Sequence, residues 1–224
     1  MTLALLLLAF LLAPLSAAAQ SPETLFNLVT LTAQADREVQ NDLLGATLAV
    51  EAEGSDPVPL SQEVNRKMQA ALAVAKGYSA VRSRSGNYQT FPVYDKDRIA
   101  RWRVRQELRL ESADFAAATE LIGKLQASLV VTAMTLQVSP DARRLAENAL
   151  IPEALAAFDE RARLVRDAMK AKGYRMRNLQ ISGGGPVYPA PLPAMARSMS
   201  APAPAVEAGT TRILITVSGT VQLQ

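Results

Sequence analysis

Residues Ile99 to Glu111 alternate between two kinds of side chain. Trp102, Val104, Leu108 and Leu110 share one parity with Gln106, and Arg101, Arg103, Arg105, Glu107, Arg109 and Glu111 take the other. A period of two is the signature of a strand with one buried and one solvated face. Moving the register by one residue would bury the arginine row unpaired, at a cost no marginally stable domain absorbs. Trp102 is therefore predicted to be substantially buried, with Arg101 and Arg103 pointing the other way.

The neighbouring segments fall into place around this strand. Val81 to Tyr94 reads as its antiparallel partner across the turn Asp95-Lys96-Asp97-Arg98. Leu43 to Gly54 alternates too, with Ala46, Leu48, Val50 and Ala52 on one face and Thr47, Glu51 and Glu53 on the other. After Asp56-Pro57-Val58-Pro59, the spacing of Leu60, Val64, Met68, Ala71, Leu72 and Ala75 predicts an amphipathic helix stopped by Gly77. Ser112 is expected to cap a second helix, with Asp114 in its first turn and Phe115, Ala118, Ile122 and Leu125 on its buried stripe. Leu129 to Val138 is an apolar strand.

From Leu43 to Val138 the order is thus strand, helix, strand, strand, helix, strand. That is the split order of a ferredoxin-like βαββαβ core. Leu25 to Ala35 adds a strand in front, and Asp36 to Asp42 reads as a polar connection. Ser139-Pro140 opens a long helix running to Lys172, with Leu145, Ala149, Leu155, Phe158, Ala162, Val165 and Met169 on or near one face. Pro152 should kink or break it, and Gly173 ends it. Arg175 to Ser182 is a short strand. Gly183 to Gly209, rich in Gly, Pro, Ala and Ser, reads as a long loop or insertion. The alternation of Ile213, Ile215, Val217, Val221 and Leu223 predicts a last half-buried strand. The fold class is α+β with a largely antiparallel sheet. The extra elements either enlarge that sheet or build a second layer.

Leu3 to Leu15 is an apolar run broken only by Pro14, and small residues at Ala17 and Ala19 give an A-x-A cleavage pattern. Residues 1–19 read as a signal peptide cut after Ala19. The run is shorter than the roughly 20 apolar residues a membrane span needs. The expected product is an exported, soluble periplasmic chain over residues 20–224 with no membrane span.

The chain holds no cysteine and no histidine. Disulfides, thiolate chemistry, the commonest general base and the commonest transition-metal ligand are thereby excluded. A serine nucleophile would need a lysine or carboxylate base, and no Ser-x-x-Lys motif occurs. A non-catalytic chain without cofactor or metal is expected. A histidine-independent hydrolase using carboxylates or a lysine is a rival that requires a deep polar pocket. The net charge of +3 is too modest to imply nucleic-acid binding.

The arginine row is the foremost candidate site. Arg101, Arg103 and Arg105 stand about 7 Å apart along one strand face, with Arg109 further on. Such a row can hold an anionic polymer, a phospholipid head group or an acidic partner surface, or lie at a subunit contact. The plainer explanation, a solvated face balanced by Glu107, Glu111 and neighbouring strands, is the stronger one. Ser182-Gly183-Gly184-Gly185-Pro186 lacks the following helix a phosphate loop needs. Met195 and Met199 make a poor metal pair alone. Asp95 and Asp97 shape a turn, and Asp159 and Glu160 diverge on a helix.

Three stretches carry a family resemblance. Tyr88-Gln89-Thr90-Phe91-Pro92-Val93-Tyr94 is followed by the arginine-rich strand. Val138-Ser139-Pro140-Asp141 opens a helix that ends at Lys172-Gly173-Tyr174. A Pro/Ala/Met-rich insertion precedes a final alternating strand. In this order the chain resembles the SIMPL-domain family of bacterial periplasmic immunogenic and oxidative-stress-defence proteins. Leu31-Thr32-Ala33-Gln34-Ala35 and Asn41-Asp42 occupy the family's glycine link and Pro-Asp step, with alanine for glycine and Asn41 for proline. The resemblance implies an envelope protein, often homo-oligomeric, connected with stress tolerance. It supplies no catalytic residues.

Overall fold

The computed structural model describes residues 26–183 and 208–224. The expected signal peptide and nearly all of the expected insertion lie outside the described residues. Ten elements follow in order: β1 (Leu28–Gln40), β2 (Leu43–Gly54), α1 (Pro57–Ala75), β3 (Arg82–Asp95), β4 (Arg98–Ser112), α2 (Phe115–Leu125), β5 (Val130–Gln137), α3 (Pro140–Ala168), β6 (Tyr174–Gly183) and β7 (Thr210–Leu223). The class is α+β, and every ladder is antiparallel.

The six elements from β2 to β5 build a four-stranded sheet in the order β3-β4-β2-β5. Each βαβ step therefore leaves a one-strand gap that a strand of the other step fills, as the split order requires. The remaining strands do not enlarge this sheet. They form a second one, β1-β7-β6, with α3 packed on it.

Each sheet has its own core. In the first, Leu44, Leu48 and Val50 of β2 and Val104, Leu108 and Leu110 of β4 meet Val64 and Met68 of α1 and Leu121, Ile122 and Leu125 of α2. Trp102 is half-buried against this core, while Arg101 is exposed on the other face, so the alternation holds as predicted. In the second core, Ala146, Leu150, Ala154, Phe158 and Ala162 of α3 lie over Ile213, Ile215, Val217 and Val221 of β7 and Ala33 of β1. Full burial of one such Leu, Ile or Phe side chain stabilises by about 1.5–3 kcal/mol.

Several local expectations are corrected. Asp36 to Gln40 is strand, not connection, because these polar residues find partners across β1–β7: Asp36 pairs with Arg212 at 2.7 Å and Glu38 accepts from Thr210 at 3.2 Å. Asp114, not Ser112, caps α2, accepting from the Ala117 amide at 2.9 Å. Ser112 is buried instead and donates to the Ala80 carbonyl at 2.8 Å. Leu145 on α3 and Met169 just after it are exposed, and the buried stripe keeps a strict four-residue spacing through Ala146, Leu150, Ala154, Phe158 and Ala162, of which Phe158 and Ala162 are as expected. The helix runs through Pro152, which sits on its exposed face together with Asn148. The Asn148 carbonyl that loses its intrahelical donor can therefore be hydrated.

The two sheets are joined at Asn41-Asp42. The buried Asn41 accepts from the Thr211 hydroxyl at 2.6 Å, and its amide donates to the Gly209 carbonyl at 2.9 Å. Asp42 accepts from the Ser139 amide at 2.6 Å and the Ser139 hydroxyl at 2.7 Å. The Ser139 hydroxyl in turn accepts from the Ala142 amide at 3.2 Å, capping α3. Partial burial alone would raise the Asp42 carboxyl, but the bonds from Ser139 outweigh it and hold it below the ordinary carboxylate value. A carboxyl depressed in the folded state contributes stability above its unfolded pKa, and that stability is lost as pH falls through the lower folded value. Ser139→Ala should cost about 1–2 kcal/mol in urea unfolding near pH 7. The cost should shrink below about pH 4, where Asp42 becomes protonated in the unfolded chain. A cost independent of pH would separate the cap from Asp42.

Candidate functional site

The arginine row lies on the face of the four-stranded sheet opposite α1 and α2. The register sets Arg105 opposite Glu51 and Gln89, Arg103 opposite Glu53 and Phe91, and Arg82 opposite Glu111. These partners arise because β2 carries its two glutamates on the parity that faces away from the core.

The resulting network is unevenly balanced. Arg103 is paired with Glu51 at 3.1 Å and with Glu53, and its guanidinium lies 5.7 Å from the Phe91 ring centroid. Arg101 reaches Glu53 at 3.7 Å. Arg105 and Arg109 share Glu107 at the longer distances of 3.4 and 3.5 Å. Arg105 Nε is buried with no hydrogen-bond acceptor among the described residues. Exposed pairs of this kind are worth about 0–1 kcal/mol each, so the network shapes the surface potential more than it stabilises the fold. Six arginines (82, 84, 101, 103, 105, 109) against four glutamates (51, 53, 107, 111) leave this face with an excess of two positive charges.

Among the described residues, clefts open at three places near the sheet. One of about 650 Å³ lies at the junction of the two sheets, between Arg82, Glu111, Gln137, Ser139 and Asp141. A second, about 310 Å³, lies beside β2 and is lined by Arg105, Lys67 and Glu51. The third, about 160 Å³, contains Arg109 and Thr135. The four predicted arginines therefore share one face but divide among its features. Arg101 and Arg103 are held by glutamates, whereas Arg105 and Arg109 each line a cleft.

The other candidates separate. Asp159 is engaged by Arg163 at 2.5 Å and by the Tyr174 hydroxyl, which ties the start of β6 to α3. Glu160 stands beside it, exposed. Lys96, between Asp95 and Asp97, takes a positive φ of 49°, consistent with a tight turn. Met195, Met199 and all but the first two residues of the glycine run lie outside the described residues. Among the described residues no group of three or more acidic side chains is placed to share a metal ion, and no helix is long and apolar enough to cross a membrane. Sequence reasoning missed Lys67 as a cleft residue and the Asp42–Ser139 pair. Lys67 sits on the polar side of a helix whose sequence signals only its buried stripe.

A family model described as SIMPL, protein of unknown function (DUF541), matches residues 29–221, which takes in both sheets. The chain belongs to the SIMPL family. No curated protein matches it. The match runs from β1 through β7, so the SIMPL unit comprises the ferredoxin-like sheet together with the three-stranded sheet and α3. In this SIMPL chain Asn41-Asp42 joins the two sheets, and Asp42 holds Ser139, the N-cap of α3.

Proposed function

We propose that the chain is an exported, periplasmic, non-catalytic envelope protein that self-assembles and acts by binding or scaffolding, with a role in envelope or oxidative-stress tolerance. The observation that carries self-assembly is β6. It is one edge of the three-stranded sheet, β1 being the other, and nearly every residue along it is exposed. On its α3-side parity Met176, Leu179 and Ile181 are 42, 39 and 43% exposed, because α3 covers β1 and β7 and leaves β6 largely open. A long edge with no strand neighbour on its outer side among the described residues, and with a row of apolar side chains, is a surface that folded proteins normally cover. The charge pattern favours a second copy in antiparallel pairing. Arg175 and Arg177 occupy one half of β6 and the neutral Gln180 to Gly183 the other, so each charged half meets a neutral half.

A non-catalytic role fits the ionisable groups of the described residues. Those with shifted pKa values are each accounted for by a local partner, such as Lys67 for Glu63, Tyr78 for Glu120 and Arg212 for Asp36. They do not converge on one cleft, as catalytic acids and bases do. Replacing Leu179 and Ile181 with lysine should lower the mass measured by light scattering and leave the far-ultraviolet circular dichroism unchanged. An unchanged mass would remove β6 from the assembly. A second reading, a monomeric module for an anionic ligand, is favoured by the excess of positive charge around Arg101, Arg103, Arg105 and Arg109.

A further inference from the structure

β5 stops short of β2. Its ladder with β2 runs from Leu43 to Ala49 and ends at the pair Ala49–Val130, whereas β4 accompanies β2 to Gly54. Among the described residues Val50 to Gly54 have no strand partner on the β5 side. The cleft of about 310 Å³ opens at this step, between α1 below the sheet and the arginine face above it. Val130, the first residue of β5, is 70% exposed at its rim.

Three charged side chains line the cleft. Glu51 is held by Arg103 at 3.1 Å, and Lys67 by Glu63 at 2.7 Å. Arg105 is left with a distant, shared carboxylate at 3.4 Å and an Nε without an acceptor. The small Ala49 lies beside it in the cleft lining. The cleft therefore combines a short unpaired strand edge with one poorly compensated guanidinium.

We infer that Val50–Gly54 of β2 and Arg105 form a binding site for an extended acidic peptide. The peptide adds as a short strand about 4.8 Å from β2, its backbone pairing with the free edge as in other strand-addition complexes. A carboxylate on the arginine-face side of the added strand takes the Arg105 guanidinium in a charge-assisted hydrogen bond. This site lies on the four-stranded sheet and is independent of self-assembly through β6.

Trp102 is the only tryptophan and pairs with Gly54 at the end of this edge, so it reports on the site. The mature chain is titrated with a short capped peptide of alternating valine and glutamate, followed by Trp102 fluorescence and by backbone amide shifts. Saturable binding with shifts centred on Val50–Gly54 is expected. The affinity should fall about tenfold for the valine–glutamine peptide and for Arg105→Gln, the effect of losing one charged contact. Arg163→Gln, on α3 over the other sheet and paired with Asp159, should bind as the unaltered chain does. No saturable change at millimolar peptide would overturn the site. Equal affinity for the glutamine peptide, or undiminished binding by Arg105→Gln, would overturn its acidic preference. Amide shifts at Val50–Gly54 that grow with protein concentration alone would assign the edge to a second copy and overturn the peptide.

Discussion

Gly219→Val should be the most damaging single substitution in the three-stranded sheet, costing about 3 kcal/mol or more. A β-carbon at this position would lie 2.5 Å from the Asn178 carbonyl oxygen, 3.1 Å from the Phe158 ring and 3.2 Å from Leu179. The first contact decides the outcome, because it is with backbone and no side-chain rotation relieves it. It arises from the irregularity in β6 between Met176 and Asn178, opposite Val221 and Thr220 of β7. Gly219 has no positive φ, so the requirement is for space and not for a left-handed backbone. Urea unfolding followed by circular dichroism measures the cost. A loss below about 1 kcal/mol would mean that β6 moves away from β7 freely, and that the central β7 ladder is less rigid than described.

Phe158→Ala should cost about 3–5 kcal/mol. Phe158 is the largest fully buried side chain among the described residues, and it fills the space between α3 and β7 where Gly219 provides none. The two sheets share few bonds beyond those at Asn41, Asp42 and Ser139. Trp102 packs in the other core. The variant's circular dichroism midpoint should therefore fall more than its Trp102 fluorescence midpoint. Equal shifts would show that the two cores unfold as one unit. Combining Phe158→Ala with Gly219→Val should be non-additive, since removing the ring relieves one of the clashes while the Asn178 carbonyl remains.

The first sheet was largely legible in the sequence because each of its strands buries one face and each of its helices one stripe. Ile99 to Glu111 and Leu60 to Ala75 show these periods directly. The second sheet was harder to read. Asp36 to Gln40 looks like a connection because its partners at Thr210 to Arg212 lie across the whole chain, and no local pattern announces them. The stripe on α3 is legible only at Phe158 and Ala162, because Ala146 and Ala154 are small while the conspicuous Leu145 and Met169 face solvent. The arginine face was visible as a row, but its weakest-compensated member was not. That depends on the Glu51 and Glu53 register and on β5 ending at Val130, neither of which is encoded in the spacing of the arginines themselves.

Self-assembly through β6 would show in the solution mass of residues 20–224. Light scattering across low to high micromolar concentration at moderate salt should give a whole-number multiple of the single-chain mass that persists on dilution. A single-chain mass throughout that range would contradict the account and leave the monomeric anionic-ligand module as the reading the structure favours.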